Sequence, residues 1–135
     1  MAILEIKRAC ERKLFQLNPN IPTAYEAVSF DEPDTGLYQK VKLLIKSPSD
    51  NVYSKTYFKE NAQFQVYIVG LPDKGTSEVL ERAELVRSHF SKGQTLQEGN
   101  VKLHFLNTPK ITGVSIVQDR LVCPVLIDIL AEVTA

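Results

Sequence analysis

Ile3, Ile6, Cys10, Leu14 and Leu17 recur at spacings of three and four, with Glu5, Lys7, Arg8, Glu11, Arg12 and Lys13 between them. Apolar residues at that period form one stripe on a helical cylinder, so the start of the chain predicts an amphipathic helix. The Asn18-Pro19-Asn20 run stops it. A second stripe, Val79, Ala83, Val86 and Phe90 with Leu80 widening it, predicts another helix. Thr76 or Ser77 suits its N-cap, Glu78 suits the positive end of its dipole, and Gly93 follows as a stop.

Elsewhere the period falls to two. In 38–46, Val41, Leu43 and Ile45 share one face and Lys40, Lys42 and Leu44 the other, the pattern of a half-buried strand. In 64–70, Phe64, Val66 and Ile68 oppose Gln63, Gln65 and Tyr67, so one sheet face meets a core, helices cover that face alone, and the opposite face is partly polar. Further strands are predicted over 24–30, 100–106, 111–117 and 121–133. The last is apolar on both faces over much of its length, which argues that it lies inside a sheet or under a neighbouring subunit. Pro124 complicates it, because proline lacks the N–H a ladder needs and marks an edge, a strand start or a bulge. Residues 47–61, SPSDNVYSKTYFKEN, are polar and predict a long loop, with room for a short strand at 52–57.

Together these elements predict an α/β chain of the α+β type: a mostly antiparallel or mixed sheet of about five to six strands with two helices packed on one face. At 135 residues the chain suits a single domain, 1–135, with the long loop at 47–61.

Composition changes this picture little. Hydrophobic residues make up 44% and charged residues 24% of the chain, as in ordinary globular proteins. The longest apolar run, 121–127, falls far short of the roughly 20 residues a membrane-spanning helix needs. The first residues, MAILEIKRACERK, interleave charge with apolar side chains and have no signal-peptide form, so use in a cytosol is expected. Cys10 and Cys123 lack Cys-x-x-Cys spacing and read as buried free thiols. Sixteen basic residues balance sixteen acidic ones, a poor footing for tight nucleic-acid binding.

Catalytic patterns do not emerge. The turn LPDKGT has no phosphate-cradling glycine pattern, and neither Gly-x-Ser-x-Gly nor His-Glu-x-x-His occurs. His89 and His104 read as structural residues, and no cofactor or metal is assigned. Tyr53, Tyr57 and Phe58 interleave with Lys55 and Lys59, superficially like a single-strand platform, but Asp50 and Glu60 leave a net of one positive charge once Lys46 is counted. Exposed aromatics also anchor protein interfaces, so Tyr53, Lys55, Tyr57, Phe58 and Lys59 are candidate contact residues. Glu78 with Arg82, and Glu84 with Arg87, stand three or four apart, which predicts a solvated charged helix face or, alternatively, a contact with a neighbouring subunit.

In order, the first helix, YEAVSF, the loop with GLY, FQVYIVGLPDKGT, the helix running into HFSKGQTL, VKLHFL and the closing VCPVLIDI make a chain that resembles the tail terminator proteins of long-tailed bacteriophages. Order along nearly the whole length carries the resemblance. Ala62 stands where similar sequences tend to have glycine, and Tyr25 where tryptophan is common. The resemblance implies a non-enzymatic structural protein without cofactors. It implies a six-membered ring at the head-proximal end of the tail tube, assembled in the host cytoplasm, that stops tube growth and offers a surface for head joining. Its implied partners are copies of itself, the tail tube protein and head-tail connector proteins, with DNA passing through unrecognised. Head-to-tail contacts that close by rotation need two unlike surfaces on one subunit, which a one-sided sheet can supply. Another neck protein is the nearest rival reading, and a small enzyme or ligand-binding domain is the rival from a different class.

Overall fold

The computed structural model describes residues 2–18, 20–26, 28, 30, 36–48, 57–72 and 75–134. Among them the chain runs α1 (Ala2–Phe15), β1 (Thr23–Ala24), β2 (Tyr38–Ile45), β3 (Tyr57–Gly70), α2 (Ser77–His89), β4 (Thr95–Glu98), β5 (Val101–Phe105), β6 (Lys110–Ile111), β7 (Ser115–Val117) and β8 (Arg120–Thr134). All eight described strands join one sheet in the order β1-β2-β3-β8-β5-β4, with β6 and β7 also on β8. The α+β class stands, but the sheet has eight strands where about five to six were expected from the pattern.

The 15-residue β8 organises the sheet. One side pairs antiparallel with β3 from Tyr57↔Thr134 to Gly70↔Leu121. Its other side meets β7, β6 and β5 in turn, so a broken stretch of chain acts as one long neighbour. Its apolar character on both faces therefore matches an interior position. Pro124 fits without a bulge. The Thr112 N–H donates to the Pro124 carbonyl at 3.2 Å, so the proline nitrogen faces the same side, where the chain turns between β6 and β7 and Gly113 takes φ +93°. A missing donor costs nothing there, because no strand runs opposite it.

Alternation sets the core. Leu121, Cys123, Val125, Ile127, Ile129, Ala131 and Val133 of β8 are buried, as are Ala62, Phe64, Val66 and Ile68 of β3. Ile6, Cys10 and Leu14 of α1 and Val79, Ala83 and Val86 of α2 meet them in the same cluster, so both helices cover one face. Phe90, the C-cap of α2, completes the centre, with ring centroids 5.9 Å from Phe64 and 5.5 Å from Phe105. Both cysteines are buried free thiols, and burial pushes each up in pKa.

Three local expectations are corrected. The strand expected over 24–30 shrinks to Thr23–Ala24, because the chain turns at once, with the Val28 N–H donating to the Tyr25 carbonyl. Over 111–117 two short pieces replace one strand, since Gly113 breaks the extended path. The expected loop at 47–61 ends earlier than its polarity suggests: Tyr57 to Asn61 extend β3 along the far half of β8, while residues 49–56 lie outside the described set. The unassigned piece Thr95–Glu98 forms edge strand β4.

Candidate functional site

Helices cover one face of the sheet, and the other mixes polar with apolar side chains, with Tyr38 and Val69 buried at one end of it. On β3, Gln63, Gln65 and Tyr67 point away from the helices; on β8 their partners are Asp128, Leu126 and Pro124. A hydrogen-bonded row runs down this face. Tyr67 Oη donates to Gln65 Oε1 at 2.5 Å, Gln65 Nε2 to Gln63 Oε1 at 2.8 Å, and Gln63 Nε2 to Asp128 Oδ1 at 3.1 Å. Asn107 Nδ2 donates to the second Asp128 oxygen at 3.4 Å, and Lys46 Nζ stands 3.5 Å from the first. Burial pushes the Asp128 carboxyl up, but the Gln63 and Asn107 donors and the Lys46 charge outweigh it and hold the group below the usual carboxylate range.

Four residues further along β8, Glu132 forms a second node. His104 Nε2 of β5 stands 3.0 Å from its Oε2, and Tyr57 Oη donates to Oε1 at 2.9 Å. The His104 contact, then the Tyr57 donor, hold the Glu132 carboxyl below its ordinary range, and the same bond raises Tyr57. A carboxylate stabilised in this way is a weak proton acceptor. It is well placed to tie β3, β8 and β5 together. Beside it lies an open groove of about 430 Å³ lined by Lys92, Gln94, His104, Leu106, Leu130 and Glu132 among others. Among the described residues, no group of three or more His, Cys, Asp or Glu side chains could hold a metal ion.

The helices are tied to the sheet and to each other by separate contacts. Arg12 Nη1 donates to Glu98 Oε2 at 2.6 Å, linking α1 to edge strand β4. The His89 ring meets the Lys13 carbonyl, linking α2 to α1, and burial holds that histidine below its ordinary pKa. Both histidines thus bridge elements of the fold.

The sequence-selected contact residues part company in space. Tyr57 and Lys59 share the helix-free face, whereas Phe58, one residue between them, turns inward and packs against the core. Tyr53 and Lys55 lie outside the described residues. Glu78 is exposed on the first turn of α2. Arg82 is not its solvated partner: it is 3% exposed, and Nη2 donates to Gln39 Oε1 of β2 at 3.4 Å. Arg87 Nε likewise turns to the Pro109 carbonyl, at 3.1 Å. Asp128, Glu132 and His104 were not singled out as a set, since only the register of β3, β8 and β5 brings them to one face.

A one-sided sheet whose polar face is braced by its own hydrogen bonds defines a packing and contact module. The family model of the phage tail terminator protein matches residues 5–128. The chain belongs to that family, and is thereby a structural component of a phage tail. No curated protein matches the chain. One solved structure is similar over 97% of this chain and 96% of its own, with a TM-score of 0.76 at 16% identity, a likeness that concerns the fold alone. No described helix is long and apolar enough to cross a membrane.

Proposed function

We propose that the protein closes into a ring, about six copies round, on the head-proximal end of a finished tail tube, where it stops further tube growth and offers the surface to which the head joins. The family match over residues 5–128 carries this reading. The fold supplies what a ring needs physically. A head-to-tail contact repeated by rotation requires two unlike surfaces on each subunit, and this chain has a helix-covered face and a polar sheet face with different edges.

Within this reading the end of β3 at Tyr57 and Lys59, and the exposed first turn of α2 at Glu78, are the contact sites between neighbours. Arg82 serves the interior of the subunit instead, because it is buried against Gln39. Chemistry on a substrate plays no part in the scheme.

Sedimentation or light scattering of the purified protein, with and without tail tubes, tests the ring. A species of about six subunits, or annuli of that size on tube ends, is expected. A protein that stays monomeric in the presence of tubes would overturn it.

A further inference from the structure

β2 pairs with β3 along its whole length, but β1 covers its other side at Gln39 and Lys40 alone. At the opposite margin of the sheet β4 pairs with β5, and among the described residues no strand pairs with its outer side. The ladders fix which backbone groups face outward. Just past β2, the Lys46 N–H donates to the Asn61 carbonyl at 2.8 Å, so even positions of β2 bond to β3 and odd positions face outward. Gln39 and Leu43 obey that parity, their N–H groups donating to the Pro22 carbonyl at 2.9 Å and to Glu26 Oε1 at 2.7 Å. On the other margin the Phe105 N–H donates to the Gln94 carbonyl at 3.1 Å, so Thr95 and Gln97 turn their N–H and C=O groups outward.

An open edge is a template for another strand. The exposed Glu26 carboxylate sits on the Leu43 N–H, where the carbonyl of a neighbouring strand would sit. At the next outward position, Ile45, neither backbone group has a partner among the described residues. The side chains there are apolar and open, Leu44 at 41% exposure and Ile45 at 40%.

We infer that neighbouring copies join edge to edge, the free part of β2 at Leu43 and Ile45 taking β4 of the next copy as a parallel strand. This contact rests on the ring reading and names the two segments that meet in it. Three observations commit the β2 edge to that occupant. Leu43 and Ile45 on one margin match Thr95 and Gln97 on the other in number and in spacing, each pair two residues apart. Direction agrees as well. Four antiparallel steps separate β2 from β4, so the two strands run the same way, and a rotation about an axis along the strands keeps them parallel between copies. The third observation concerns faces. Leu43 and Ile45 stand opposite Phe64 and Ala62 on the helix-covered face, whereas on β4 it is Leu96, between Thr95 and Gln97, that packs on that face. In a parallel ladder an outward residue bonds to the two residues flanking the one beside it. Leu43 or Ile45 then lies beside Leu96, and the helices of every copy stay on one side of a continuous sheet. Antiparallel pairing would turn each copy over relative to the last, which rotation round a ring does not do.

The test is assembly of the full chain, with particle size measured over a concentration series with and without tail tubes. Ile45→Pro and Gln97→Pro each remove one outward N–H from an edge where proline leaves the inner ladder intact, and should raise the concentration needed for rings about tenfold or more. Ile45→Val and Gln97→Ala keep the N–H and should assemble as the parent does, with thermal melts checking that all four variants fold. Hydrogen exchange on the parent chain needs no variant. The Ile45 and Gln97 amides should both slow when rings form. Rings of the proline variants at the parent's concentration, slowing at one of the two amides without the other, or equal loss in the N–H-keeping variants would overturn the edge contact. A chain that stays monomeric with tubes, or stops at two subunits, refutes the ring and this contact with it; rings whose Ile45 and Gln97 amides exchange as fast as in the monomer refute the contact alone.

Discussion

Glu132 Oε2 on β8 lies 3.0 Å from His104 Nε2 on β5, while the other oxygen of the same carboxylate takes the Tyr57 hydroxyl of β3. One side chain therefore joins three strands. Its pKa in the folded state is depressed below its ordinary 4.5. The stabilisation this gives is present above the unfolded value and lost as pH falls through the folded one. Thermal melts from about pH 6 to about pH 3 should show E132Q losing less stability than the parent chain over that interval. Identical pH dependence in the two proteins would show that the node contributes nothing to acid sensitivity.

Arg82 and Gln39, at 3% and 2% exposure, form a polar contact inside the subunit. Burial lowers the Arg82 pKa, so its charge is held at some cost and depends on its partners. Arg82→Ala strips Gln39 of a charged donor and removes the packed stem, and should cost about 2–3 kcal/mol in urea unfolding. Glu78→Ala, on the exposed turn, should stay within about 0.5 kcal/mol. Equal effects at the two positions would contradict the buried role of Arg82.

Gly70 ends β3 directly beneath α2. A Cβ there would stand 2.7 Å from Val79 Cγ2 and 3.1 Å from Leu37 Cδ2. Val79 is buried in the first turn of the helix and has no long, flexible chain to swing away. Gly70→Ala should therefore destabilise the fold by about 1–3 kcal/mol through overpacking. A variant as stable as the parent would mean that α2 moves outward without penalty.

The β7–β8 hairpin turns through Gln118 at φ 49° and Asp119 at φ 61°, both in the left-handed region. Two-residue hairpin turns of this form favour Asn-Gly. The pair Q118N/D119G should raise the melting temperature, by an amount equivalent to about 1 kcal/mol. No gain in a melting experiment would indicate that the turn carries no strain in the parent chain.

Both helices and the long strand β8 were legible because each carries a pattern that local physics cannot satisfy otherwise. A stripe at spacings of three and four must be buried as a helix, and LVCPVLIDILAEV is apolar over much of its length. The polar strand pieces were not legible. Thr95–Glu98 and Tyr57 to Asn61 lack apolar alternation; the first is extended through a hairpin with β5, the second through pairing with β8 far along the chain. Arg82 shows how charge misdirects: it stands three after Val79 and four before Val86, on the buried stripe, yet its spacing from Glu78 suggests a surface pair.

The central claim concerns a tube end. Tail tube protein polymerised in the presence of increasing amounts of this chain, with tube lengths read by electron microscopy, tests it most directly. Shorter tubes, each bearing an annulus of extra density at one end, are the result the account predicts; a length distribution unchanged at excess protein, with bare ends, would contradict it.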